Sequence, residues 1–260
     1  MLKILKYSIF DLLRSRWSYV YFFFYLMLGF VLLFLNNDVN KAIITMMNII
    51  IVLTPLIGTI FGVMYYYNSK EFTELLLAQP IKRSKIFFGQ YLGISLSLTL
   101  SLVLGLGIPF LVYGIFQSTS IFDFTLLLVV GAFLNFIFVA LSYNIALSTE
   151  NKIKGFGYAI LMWLFMAVIY DGIFLISLHY FHEYPLEKFS LIATIMNPID
   201  LSRILIMLKL DISALLGITG AIFKQFFGSN LGFFTAMFVL VLWIVFPVLR
   251  MRFKLKKKDF

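Results

Sequence analysis

Cysteine is absent from the sequence. Disulfides and thiolate-held metals are therefore excluded, although the compartment stays open. Charge is scarce too. Asp, Glu, Lys and Arg make up 13% of residues, against roughly a quarter in ordinary soluble domains. The phosphate-cradling pattern G-x-x-x-x-G-K-[ST] does not occur, nor do H-E-x-x-H or G-x-S-x-G. No motif of a nucleotide-driven motor, zinc protease or serine hydrolase is present, so an enzyme is not expected. If the chain does work, either ions drive it or the engine is a separate chain.

What is present is apolar sequence. Hydrophobic residues make up 62% of the chain, and Phe alone supplies 31 of them. A membrane-crossing helix needs about 20 mostly apolar residues. Six stretches meet that length: 17–35, 42–67, 87–116, 124–149, 156–180 and 231–249. They are long and apolar on all sides, unlike the short alternating strands of a barrel. The expectation is an all-α integral membrane protein with six transmembrane helices, forming one transmembrane domain over 1–260. No small-residue cleavage site follows the first run, so it is expected to stay.

Basic residues order the loops. Residues 1–16, 68–86, 150–155 and 250–260 together hold 16 of the 21 Lys and Arg. Loop 36–41 holds only Lys41, and 117–123 holds none. By the positive-inside rule both termini are expected to be cytoplasmic. The net charge of +9 then faces anionic lipid. No basic patch lies on a soluble domain, so nucleic acid is not an expected partner.

Three segments lie outside the spans. Residues 1–16 plot as an amphipathic elbow helix, with Leu2, Leu5, Ile9, Leu12 and Leu13 on one face; Ile4 and Lys6 break the pattern. In 68–86, Asn68 and Glu71 resemble a capping box. A short cytoplasmic helix follows to about Gln79, with Phe72, Leu75 and Leu76 as its apolar stripe, and Pro80 stops it. Lys82, Arg83 and Lys85 come next. An apolar stripe there wants a surface to bury against: lipid, this chain's own helix ends, or another protein. The segment 181–230 is expected to be periplasmic, interfacial or re-entrant; the competing view, a further span, would move the basic tail outside, which the charge count opposes. Its Asn197-Pro198-Ile199-Asp200 sequence marks a helix start. Arg203 and Lys209 interrupt the apolar run that follows.

Polar candidates are few. Asp171 is the only acid deep in a predicted span, and an intramembrane carboxylate is a functional candidate by default. The plainer reading pairs it with Asn135 or Asn144. His179 and His182, beside Glu183, are a weak metal pair without a clear third ligand. Met46, Met47, Met162 and Met166 read as apolar filler. Gly58 and Gly62, and Gly89 and Gly93, are small-xxx-small spacings that permit close helix approach.

The stretch "ELLLAQPIKRSKIFFGQYLG" from Glu74, placed after the second span and behind an N-terminal elbow, resembles the coupling segment of type-2 ABC exporter permease subunits. The resemblance implies that fold and a homodimer of this chain. It implies that a separate ATPase subunit, which binds ATP and Mg²⁺, docks on Glu71, Phe72, Glu74, Leu75, Leu76, Pro80, Lys82 and Arg83. A narrower resemblance, in "IMNPIDLSRILIML" (195–208) and "YDGIFLISL", is to the NosY-like permeases of nitrous oxide reductase maturation complexes. It implies a NosF-like ATPase and a NosD-like periplasmic partner that handles copper, with no cofactor held by this chain. Asn197, Pro198, Asp200 and Arg203 would then form a periplasmic partner surface or gate. The alternatives are a generic type-2 exporter of a drug, peptide or ion, and an ion-driven secondary transporter using Asp171.

Overall fold

A computed structural model describes residues 2–14, 16–36, 39–118, 120–181, 187–210 and 218–257. The described residues are almost entirely helical. In chain order the helices are α1 (Leu2–Arg14), α2 (Arg16–Asn36), α3 (Val39–Asn68), α4 (Lys70–Leu77), α5 (Arg83–Val112) and α6 (Ile121–Ser148). They are followed by α7 (Lys152–Leu164), α8 (Tyr170–Tyr180), α9 (Glu187–Met196), α10 (Pro198–Lys209), α11 (Ile218–Phe227) and α12 (Asn230–Lys257). A π-helical turn, Phe165–Ile169, joins α7 to α8 as one long element. Six helices are long and apolar enough to cross a membrane: α2, α3, α5, α6, α7–α8 and α12. The chain is thus built as a multi-pass membrane protein.

The centre is a slab of α3, α5 and α6, in which α3 and α6 run parallel and α5 runs against them, with α2 on α5 and α12 on α6. Without water between helices, close van der Waals packing holds such a slab, so small residues mark the contacts. Gly58 and Gly62 of α3 lie against Asn135, Val139 and Ser142 of α6. Gly89 and Gly93 of α5 receive Ile4 and Ser8 of α1. Met46 and Met47 are fully buried in the core. Phe110 of α5 stacks on Phe124 of α6 at 4.3 Å.

The elbow helix packs differently from its amphipathic plot. Its buried face is Ile4, Ser8 and Leu12, while Leu5 and Ile9 are only half-buried. Ile4 is the residue that appeared to break the pattern. The two glycines of α5 leave grooves that take Ile4 and Ser8 against the backbone, so contact with protein overrides the lipid-facing period.

The bend at Asn197 is the main departure from a plain six-helix bundle. α9 and α10 are apolar and meet at 114°. α9 runs back along α8: Phe189 stacks with Phe174, and Tyr170 donates its hydroxyl hydrogen to Ala193 O at 2.6 Å. α10 then lies among α3, α6, α9 and α12, with Ile199, Leu201 and Ile206 fully buried. A sharply bent apolar hairpin of this kind is a broken span or a re-entrant loop, and its second arm is packed deep among the spans.

Candidate functional sites at the hairpin tip and around the short helix

One site gathers around the hairpin tip. In the π turn, the Tyr170 amide donates to Phe165 O, five residues back. That withdraws the usual α-helical donor from Met166 O, which accepts from Asn197 Nδ2 at 2.8 Å instead. The other Asn197 amide hydrogen goes to Asp200 Oδ2 at 2.8 Å. Its Oδ1 caps α10 by accepting from Ile199 N at 3.0 Å. One Asn side chain thus satisfies a freed carbonyl, a carboxylate and a helix N-terminus at once. Pro198 occupies the first turn, where a missing N–H costs nothing. Trp243 of α12 donates to Ile195 O at 3.0 Å and fixes the tip from a third side.

Arg203 completes this site. Its Nη1 lies 2.6 Å from Asp171 Oδ2 and 3.4 Å from Asp200 Oδ1. The partner of Asp171 is therefore a cation on the hairpin, neither Asn135 nor Asn144. Asn144 donates to Ala140 O and to Pro247 O of α12. Asn135 is fully buried in α6 and makes no hydrogen bond to Asp171. The sequence identified Asp171, Asn197, Asp200 and Arg203 but did not join them, because the carboxylate and the cation belong to segments assigned to different environments. An Arg in the second segment was the available signal. In an apolar surrounding a cation demands a counter-charge.

The second site lies where α3 ends, around α4. The helix start differs from the expected capping box: the N-cap is Ser69, with no side-chain cap bond. Asn68 still belongs to α3, and its Oδ1 accepts from Lys152 Nζ at 2.9 Å. The helix ends at Leu77, two residues short of Gln79. The apolar stripe divides. Phe72 stacks on Tyr7 of α1 at 4.7 Å. Leu76 and Leu77 pack on the chain's own core. Leu75 remains 69% exposed. On the inner side Thr73 is buried and accepts from Gln90 Nε2 of α5 at 2.9 Å. Glu71, Glu74, Pro80, Lys82 and Arg83 are exposed, and Lys70 and Glu74 approach at 3.9 Å. A short helix is thus tied to α1 and α5 and offers an apolar residue among charges.

Only one member of the weak metal pair falls within the described residues. His179 is exposed at the end of α8, and His182 lies outside the described residues. Among the described residues, no three metal-ligating groups cluster.

Neither a protein-family model nor a curated protein matches this sequence, so the reading of both sites rests on their geometry.

Proposed function

We propose that this chain is the membrane subunit of a two-component, ATP-driven transporter, a permease of type-2 ABC exporter kind. The observation that carries the reading is α4. A helix of eight residues between the second and third spans leaves Leu75 exposed while its neighbours anchor it to α1 and α5. A helix so tied moves with those elements when a partner pulls on it. In this reading ATP and Mg²⁺ belong to the partner, and the chain works as a homodimer. The maturation role, with a NosF-like ATPase and a NosD-like copper-handling partner outside, is the special case drawn from residues 195–208 and the fifth span. The ion-driven alternative is weaker, since Asp171 is held by Arg203 rather than facing a polar path.

The test is co-purification of the tagged full chain in mild detergent. Partners are identified by mass spectrometry and assayed for ATP hydrolysis. Leu75→Asp is expected to lose the ATPase while keeping its thermal stability, because Leu75 touches little of its own chain. Leu76→Asp is expected to lower stability as well, because Leu76 packs on the core. Recovery of an ATPase with a periplasmic copper-handling protein supports the maturation role, and an ATPase alone supports a generic exporter. An ATPase retained undiminished by Leu75→Asp, or none with the wild-type chain, overturns the proposal.

A further inference from the structure

The long element α7–α8 is fastened in one half and loose in the other. α7 lies on α3 and α6. Trp163, in its last turn, donates its indole hydrogen to Val52 O of α3 at 3.2 Å. No residue of α8 is buried. The contacts that fasten α8 run to the hairpin. Asp171 meets Arg203 at 2.6 Å, the Tyr170 hydroxyl donates to Ala193 O at 2.6 Å, and Phe174 stacks on Phe189 with ring centroids 6.3 Å apart. A cavity of about 290 Å³ remains between α8 and α9, so the two helices do not close on each other. The hairpin itself is fixed, by Trp243 on Ile195 O and by the burial of α10. α8 is therefore the part with room to move.

The π turn gives that motion a definite form. A single π turn is one extra residue within an α-helix. Here it pairs the Tyr170 amide with Phe165 O and leaves Met166 O to Asn197 Nδ2 at 2.8 Å. In a regular α-helix the Tyr170 amide would return to Met166 O and displace Asn197. Closing the turn in this way rotates α8 by about 100° and advances it by about 1.5 Å, one residue of α-helix. Each residue of α8 then takes the place of the one that follows it. Tyr170 comes to stand where Asp171 stood before Arg203, and Ile173 comes to face Phe189.

We propose that the π turn is a two-state joint, latched in this structure by Asn197 on Met166 O and by Asp171 on Arg203, and that releasing the latch turns α8 by one residue against the fixed hairpin. Met166 O has a donor in both states, so neither leaves a backbone carbonyl unpaired in an apolar surrounding. That is what makes the element bistable rather than continuously deformable. The turn also changes the charge of the cluster. With Asp171 in place, two carboxylates face one guanidinium; without it, Arg203 keeps Asp200 alone, at 3.4 Å. The proposal does not rest on the ATPase reading.

Because the chain has no Cys, pairs of introduced thiols read the register of α8 directly. Phe189→Cys on α9 is combined with Ile173→Cys, Phe174→Cys or Leu175→Cys in the full chain. Membranes are treated with a short, membrane-permeant thiol cross-linker, and the joined peptides are counted by mass spectrometry. Neighbouring residues of α8 point about 100° apart, so the three positions report distinct registers. Phe174→Cys is expected to cross-link fastest in the otherwise unchanged chain. Asp171→Asn releases the latch and should raise the Ile173→Cys rate about fivefold while Leu175→Cys stays slow. Asn197→Ala should act in the same direction. It also removes the cap of α10, so Asp171→Asn, which leaves that cap in place, decides the matter where Asn197→Ala fails to fold. Deleting Val168, which is 56% exposed, takes out the extra residue without turning α8. The deletion should keep the Phe174→Cys cross-link and abolish the rise that Asp171→Asn causes. A register that Asp171→Asn leaves unchanged overturns the joint, and so does a rise that survives the deletion. Ile173→Cys and Leu175→Cys rising together would overturn it as well, because α8 would then be loosening rather than turning.

Discussion

At the scale of single residues, the chemistry concentrates on Arg203. Asp171 and Arg203 are each about a quarter exposed, at 27% and 28%, while Asp200 is 9% exposed. Removing Arg203 leaves two carboxylates facing each other without a counter-charge. Breaking a buried pair costs about 3–5 kcal/mol; discounted for partial exposure, Arg203→Ala should cost about 1–3 kcal/mol. Asp171→Asn should cost less, because Arg203 keeps Asp200 within 3.4 Å. Denaturation of the two single variants and the double variant in detergent measures the coupling. Additive effects would mean that the 2.6 Å contact contributes nothing to stability. The same group shows where the sequence stopped being legible. Asp171 stood out as an acid inside an apolar run. Its partner did not, because Arg203 sits in a run too short and too charged to read as membrane-embedded. The burial of α10 depends on groups that sequence distance hides: Asp171, 32 residues before Arg203, and Met166 O, released by a π turn that no residue type announces.

At the scale of elements, the six spans were legible because their lengths follow from bilayer thickness and backbone hydrogen bonding, whatever the tertiary packing. The glycine spacings were legible as permission for close approach, but not as to which helix would approach. Gly62 faces Ser142 of α6, and Gly93 faces Ser8 of α1. This assigns a separable prediction to the α3–α6 contact. A Cβ at Gly62 would overlap the Ser142 hydroxyl and lie 3.4 Å from Val139 Cα. Gly62→Ala is therefore expected to destabilise by about 1–3 kcal/mol, the usual cost of overpacking. Ser142→Ala removes the overlapping oxygen, whose one hydrogen bond is to Val139 O of its own helix at 2.9 Å. The double variant should recover most of the loss in thermal unfolding. Without recovery, the backbone of α6 rather than the serine side chain sets the separation. The elbow helix teaches the converse. Its amphipathic plot predicted a lipid-facing period, yet the glycine grooves of α5 selected Ile4 and Ser8.

At the scale of the whole molecule, charge divides the ends of the bundle. Lys70, Lys82, Arg83, Lys152, Lys154 and the basic end of α12 gather where α3 and α6 end and α5 and α7 begin. Lys41, Lys188 and Lys209 fall toward the other end. An uneven Lys and Arg count in short loops sets orientation during insertion, so the end bearing α4 should face the cytoplasm. The fold supplies a matched pair of probes. Phe122, at the start of α6, and Ile153, at the start of α7, are both 83% exposed and lie on opposite ends. In a chain without Cys, Phe122→Cys or Ile153→Cys is the only thiol. A membrane-impermeant maleimide applied to intact cells should label Phe122→Cys and spare Ile153→Cys, and permeabilised cells should label both. Equal exposure removes local burial as a cause of any difference, leaving sidedness. The reverse pattern would put α4 outside, beyond reach of a cytoplasmic ATPase, and would bring down the coupling proposal together with the orientation.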